Sequence, residues 1–564
     1  MHSFDGCRVV GALLSVPLAV ALVCPALAAP AEESPGQADL DAAIETKLSA
    51  DQLEDYATVI DLCRRALQKG LAADSRAFAE ELYVGTLVDR AAMIVDALFE
   101  GRQPNDQWQR MRAFALRDLG EVLEKVPENG QALLMVARLE SLPGGNRDRA
   151  AGAAAKAVDL LGDDKLQLAR AHMVLGTVAE QENRMEHLDK AVELAPRDAE
   201  IRRARAHARL VADQFEGARE DLLVATAENP EDAAIFQALG LACTMADRLD
   251  EAEKAFDKAL EIEPDSPAVL LQRARLLAVR GQRERSIADV DKAINLDPDD
   301  PQPRVLRARI LHQAGETDQA LTELERVLRA APDNPSALEM RGLMAAERDD
   351  YQAAIRDFRR LVGRNGDDAV LVSQLGALYL AAKQPREAIR RFTRALEIDE
   401  SHFPSRRGRS DAAISIGDHK AAIVDLEKAL EQKPDDTGVL NNLAWLLATS
   451  PDDGLRDGKR AITLAEKACE KTEWKQPHII STLAAGHAET GDFAAARKFS
   501  TQAVEGTEKE TEIRGQLEKE LASYEAGKPW RERQEMADAT DGPPAAATAP
   551  APEKRLPRRP FDEP

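Results

Sequence analysis

The sequence predicts an all-α chain built as a stack of paired helices, about eleven pairs in all. Three observations carry this. Only 4% of the 564 residues are aromatic, while Ala and Leu are plentiful, a balance that disfavours strands and suits helices. Pro196, Pro230, Pro264, Pro298 and Pro332 stand 34 residues apart, and Pro434 lies three periods further on, with Gly366 and Glu400 at the skipped beats. Between these markers, apolar residues recur at three- and four-residue spacing, one face of a helix.

In chain order, the first element is an address. Arg8 precedes the apolar run Val9–Val23, and Cys24-Pro25-Ala26-Leu27-Ala28-Ala29 follows. A basic residue, a short apolar core and an A-x-A site predict a signal peptide over 1–28, cleaved after Ala28, with export to the periplasm or outside the cell. An uncleaved anchor and a lipoprotein carried on Cys24 are the other readings; bulky Val23 before that Cys disfavours the lipoprotein. Residues 29–39 read as a linker. Residues 40–126 read as long helices without the 34-residue period, an N-terminal helical cap. Irregular repeats follow over 130–198, seven regular ones over 199–436, and two more over 437–510, the first with an insertion at 450–457. Residues 511–535 read as a capping helix that shields the open end of the stack. The Pro/Ala-rich, finally basic tail 538–564 lacks the apolar residues to form a core. Five cysteines cannot build a disulfide scaffold. Cys63, Cys243 and Cys469, which cleavage would leave, lie too far apart in a stacked array to meet and are expected to be free.

Within a period the pattern is specific. Before Pro264 stand Phe236, Leu239, Gly240, Cys243, Ala252, Phe256 and Ala259; it returns as Val372, Leu375, Gly376, Tyr379, Ala388, Phe392 and Ala395. Small residues at the eighth and twentieth positions let two helices approach, and proline stops the second helix. This pattern resembles the tetratricopeptide repeat, a 34-residue helix–turn–helix unit. The stretch Asn441–Thr449, with Arg456-Asp457-Gly458 and Leu464–Ala468, resembles a variant of exported bacterial members. The resemblance implies a right-handed superhelical solenoid and a non-catalytic scaffold that binds a protein or peptide along a concave groove.

Numbering each repeat with the proline at position 32 reveals an internal pairing. Position 7 is Arg205, Arg273, Arg307, Arg341 or Arg409 in five repeats, and sixteen residues later stand Asp221, Asp289, Glu323, Asp357 and Asp425. Where position 7 is Val136, Ala171, Leu239, Leu375, Leu443 or Leu483, position 23 is never acidic. An Arg–carboxylate bridge within each of the five repeats is expected, since the planar guanidinium fork meets a carboxylate with two hydrogen bonds. It would neutralise much of the charge in the stretches from Arg202 and Arg304.

The resemblance places positions 2, 5, 9, 12 and 13 of each first helix on the groove. Those positions hold Arg203, His207, Arg275, Arg309 and His312, then Glu339 and Glu347, then Arg407, Asp411, Asn441 and Trp445. An acidic peptide or C-terminus near Arg203 to Arg309 is the expected ligand. The chaperone-type carboxylate clamp is disfavoured, because Asp411 stands where it carries Asn.

Net charge is −24, which repels nucleic acid and anionic lipid. No H-E-x-x-H, C-x-x-C, G-x-S-x-G or dinucleotide fingerprint is present, and Gly454–Arg460 falls short of a P-loop. No catalytic residue, metal site or cofactor is therefore expected. Pro557 and Pro560 form a P-x-x-P with Lys554 upstream, read as an extended end. The favoured function is a protein-binding scaffold. A second reading is a cell-envelope assembly or polysaccharide-secretion component, and a third is an enzyme with a site hidden in 40–126.

Overall fold

The computed structural model describes residues 34–100, 106–508 and 511–532. The signal peptide 1–28, residues 29–33 of the linker and the tail 538–564 lie outside the described residues. Those described are helical and turn, with no strand among them. They divide into two compact units, one ending at Pro264 and the other starting at Asp265.

The first unit opens with four helices, α1 (Gln37–Ser49), α2 (Leu53–Lys69), α3 (Ala73–Glu100) and α4 (Asp106–Lys125). Pairs follow: α5 (Gly130–Ser141) with α6 (Arg147–Leu160), α7 (Lys165–Val178) with α8 (Gln181–Leu194), α9 (Ala199–Val211) with α10 (Phe215–Glu228), and α11 (Ala233–Met245) with α12 (Leu249–Ile262). Its largest core joins Val59, Leu87, Leu98 and Leu119 of the opening helices to Leu134 and Val174 of the first pairs. α5 is buried all round from Ala132 to Glu140, so it sits between the opening helices and the array.

In the second unit the pairs are α13 (Pro267–Val279) with α14 (Arg283–Leu296), α15 (Pro301–Gln313) with α16 (Thr317–Ala330), α17 (Pro335–Glu347) with α18 (Tyr351–Arg364), and α19 (Ala369–Ala381) with α20 (Pro385–Ile398). Then come α21 (Phe403–Ser415) with α22 (His419–Gln432), α23 (Thr437–Thr449) with α24 (Gly458–Lys471), α25 (Pro477–Glu489) with α26 (Phe493–Glu505), and a final single helix α27 (Glu512–Glu525). The extra residues at 450–457 form a short 3-10 turn, Asp453–Leu455. α27 stops ten residues before the expected 535, because Gly527 takes a positive φ of 66° and Pro529 follows. Eleven pairs thus run from Gly130 to Glu505.

Each pair closes by the same local chemistry. Position 15, between the two helices, is left-handed in eight pairs: Asp213, Asp247, Gly281, Gly315, Asp349, Lys383, Gly417 and Gly491. Glycine or a short Asp tolerates that geometry. Position 8 faces the ring at position 24: a Cβ on Gly240 would stand 2.5 Å from Phe256, and one on Gly376 would stand 2.9 Å from Phe392. Cys63, Cys243 and Cys469 are free and buried.

Candidate functional site

The arginine-rich start of α9 sorts its charges by face. Arg202, Arg205 and Arg209 all turn to Asp221 of α10, whose side chain is fully buried. Arg205 meets it through Nε (2.9 Å) and Nη2 (2.6 Å), while Arg202 and Arg209 add bonds of 2.7 and 2.8 Å. Burial opposes the carboxylate charge of Asp221, but its arginine bonds outweigh that and hold its pKa down. The positions between point elsewhere: Arg203 and His207, one turn apart, are exposed on another face.

Three of the other four position-7 arginines show the same fork. Arg273 donates to Asp289 (2.8 and 2.7 Å), Arg341 to Asp357 (2.8 and 2.7 Å) and Arg409 to Asp425 (2.7 and 2.7 Å). Arg307 departs from the expectation: its nearest approach to Glu323 is 4.0 Å, beyond hydrogen-bond reach. Glu323 accepts from Arg326 instead (2.8 Å), with Arg304 at 3.6 Å. Glu is one methylene longer than Asp, so its carboxylate passes the position-7 fork and meets those neighbours. Arg307 turns to Asp291 of the preceding pair (3.2 Å). Arg205 likewise reaches Asp189 (2.8 Å) and Arg409 reaches Thr393 (3.2 Å). Each acceptor is position 25 of the preceding repeat, so position 7 also ties consecutive pairs together.

With those arginines engaged, two cavities of the first unit remain, of about 620 and 460 Å³. They share Phe99 of α3, Arg138 of α5, and Glu200 and Arg203 of α9, and so form one cleft. Trp108 of α4 walls one end; His207, Met173 and Leu210 line the other. Arg138 is 7% exposed and stacks on the Phe99 ring at 4.1 Å. Its ion-pair partner is Glu200, whose two oxygens make long contacts to Nη2, each at 3.4 Å. Its buried Nε has no hydrogen-bond partner. Arg203 lies 4.0 Å from Asp232.

The remaining expected groove residues lie in the second unit and are not gathered at one place. Arg275, Arg309, Glu339 and Arg407 are exposed; Arg407 lies 4.0 Å from Asp436. His312 Nε2 sits 2.9 Å from Glu347. Asp411 accepts from Asn442 Nδ2 (3.0 Å), and burial pushes its carboxyl above the usual range against the pull of Arg407. Asn441 and Trp445 line a further cavity of about 740 Å³ with His478, Ser481, Gln516 and Glu520. The Trp445 indole Nε1 donates to Glu532 (2.9 Å). Past α27 the chain turns back, Glu532 N bonds Thr449 O (3.0 Å) and Arg531 pairs with Glu489 (2.6 Å).

Sequence reasoning missed Phe99, Trp108, Arg138 and Glu200 in the first cleft. One signal was present: Arg138 is a lone cation inside the apolar run LLMVARL. It also missed the buried Arg90–Asp118 fork between α3 and α4 (2.8 and 2.9 Å), whose 28-residue spacing belongs to no repeat. Among the described residues no cluster of metal-ligating side chains occurs, and no helix is long and apolar enough to cross a membrane.

Helix pairs of fixed period, with small residues under aromatic rings and proline-marked ends, define a helical-repeat protein. Tetratricopeptide repeat models match residues 203–267, 305–369 and 374–437, and a second such model matches 244–301. The chain is a tetratricopeptide repeat protein. Arrays of this family are generally non-catalytic protein-interaction scaffolds. No curated protein matches the chain in sequence. Solved structures similar to it include a tetratricopeptide repeat protein from Parabacteroides merdae, at 18% identity over 43% of this chain and 96% of that one, with a TM-score of 0.33. Another is pilF of Pseudomonas aeruginosa, at 23% identity over 38% and 97%, TM-score 0.32. Tom70 of yeast is 17% identical over 74% and 96%, TM-score 0.31.

Proposed function

We propose that the chain is a non-catalytic scaffold that binds a protein partner through an extended segment laid in the cleft of its first unit. The observation that carries this is the cleft itself. It combines apolar walls (Phe99, Trp108, Met173, Leu210) with a few converging polar groups (Arg138, Arg203, His207), the make-up of a recognition site. The chain's net charge of −24 disfavours nucleic acid as the partner. The absence of a recognisable catalytic set supports a binding role over an enzymatic one. Export rests on the first 28 residues, and the scaffold would then act outside the cytoplasm; N-terminal sequencing of the secreted-fraction chain should begin at Ala29.

A photo-crosslinking amino acid at His207 should trap a discrete partner from the producing cell, and the same residue at exposed Lys254 of α12 should not. Arg203→Glu should abolish the His207 adduct. Equal trapping at both positions, or an adduct indifferent to Arg203→Glu, would place binding elsewhere.

A further inference from the structure

Resting on that reading of the cleft, we infer that it is selective for a single carboxylate attached to a bulky apolar group, such as an acidic residue beside an aromatic one, and not for a polyanion. Arg138 carries the argument. A guanidinium removed from water normally meets a carboxylate at close range through two parallel bonds. Two buried arginines of the first unit do so: Arg90 on Asp118, and Arg205 on Asp221. Arg138 does not. Glu200 stays at 3.4 Å from its Nη2, and the Nε edge is buried without an acceptor. Arg138 lines the region shared by both cavities, where Arg203 stands one turn beyond Glu200. An incoming carboxylate meets the guanidinium at closer range than Glu200 does at 3.4 Å.

The apolar part of the ligand has its own place. Phe99 already stacks on Arg138, so a ring or branched chain beside the carboxylate meets Phe99 together with Met173, Val174 and Leu210. The limit to one charge comes from the other end. Asp96 lines it exposed, Asp232 caps α11 by accepting from Ala234 N (2.9 Å), and Glu200 stays beside Arg138. Three carboxylates within the cleft walls repel a second negative charge on the ligand.

The test uses the full chain and three small probes: 3-phenylpropionate, its amide, and phenyl phosphate, titrated by ligand-observed NMR. The carboxylate should bind at least tenfold more tightly than the amide, and phenyl phosphate no more tightly than the carboxylate. Arg203→Gln should reduce the carboxylate preference severalfold, and Arg138→Gln should remove it. Glu200→Gln should strengthen carboxylate binding severalfold, because it deletes the competing charge; circular dichroism of each variant checks that the helices are kept, and Arg203→Gln, at an exposed residue, supplies the test if Arg138→Gln does not fold. Equal affinity for carboxylate and amide, tighter binding of phenyl phosphate, or weaker carboxylate binding in Glu200→Gln would overturn the inference. If the probes behave as expected while the His207 crosslink fails, the scaffold reading fails and the ligand selectivity stands.

Discussion

The Arg341–Asp357 fork gives a quantitative test of how the repeats hold together. Asp357 is almost fully buried, and the Arg341 side chain is 30% exposed. The paired carboxylate raises the proton affinity of Arg341 above its usual value. Asp357→Ala removes the acceptor and strands the guanidinium between α17 and α18. Loss of one member of a fully buried pair costs about 3–5 kcal/mol; water reaches Arg341 in part, so the expected loss is about 2–3 kcal/mol. The double variant Arg341→Leu with Asp357→Ala reproduces the Leu239 and Ala255 that fill the same positions three repeats earlier in the sequence. It should recover most of the loss and end within about 1 kcal/mol of the parent. Long arrays do not unfold in one step, so the readout is hydrogen exchange of α17 and α18, alongside a urea titration. Equal destabilisation by the single and double variants would refute the reasoning.

Three further outcomes follow from buried groups. His172 Nδ1 lies 3.3 Å from His187 Nδ1, and burial, then His187 and Lys190, hold the His172 proton affinity below the usual 6.5. The unfolded chain therefore takes up that proton first, so the stability is full above about pH 6.5 and is lost as pH falls through and below it; His172→Ala should flatten that part of the melting-temperature profile, and an unchanged slope would contradict it. Burial pushes the thiols of Cys63, Cys243 and Cys469 up to about 11, so a thiol reagent at about pH 8 should label none of the three in the native chain and all of them in guanidinium. Gly240→Ala puts a methyl 2.5 Å from the Phe256 ring and should cost about 1–3 kcal/mol, partly relieved by Phe256→Leu; a neutral Gly240→Ala in urea titrations would contradict the close approach.

The array was legible because its signals are local and repeated. A proline every 34 residues, a small residue under each ring and an acid sixteen residues after each position-7 arginine all lie within one helix pair. What escaped involves contacts that skip the period. The bonds from Arg205 to Asp189 and from Arg307 to Asp291 join different repeats. The sequence offered those acids among 99 acidic residues in all. Glu323 was grouped with the aspartates by charge, and its extra methylene took it to Arg326. The cleft was half legible: Arg203 and His207 fell on its wall by repeat position, whereas Phe99, Trp108 and Arg138 come from α3, α4 and α5. The first two of those helices carry no 34-residue register, and α5 opens the array. The bond from the Trp445 indole to Glu532, 87 residues later, was likewise out of reach of the repeat pattern.

The central claim is that the first unit's cleft, and not the outward helices, receives the partner. Hydrogen exchange of the full chain, alone and saturated with the protein trapped at His207, tests it most directly. The account predicts added protection in α9 and the C-terminal half of α3, with α10 and α12 unchanged; protection confined to α10 and α12, with α9 exchanging as in the free chain, would contradict it.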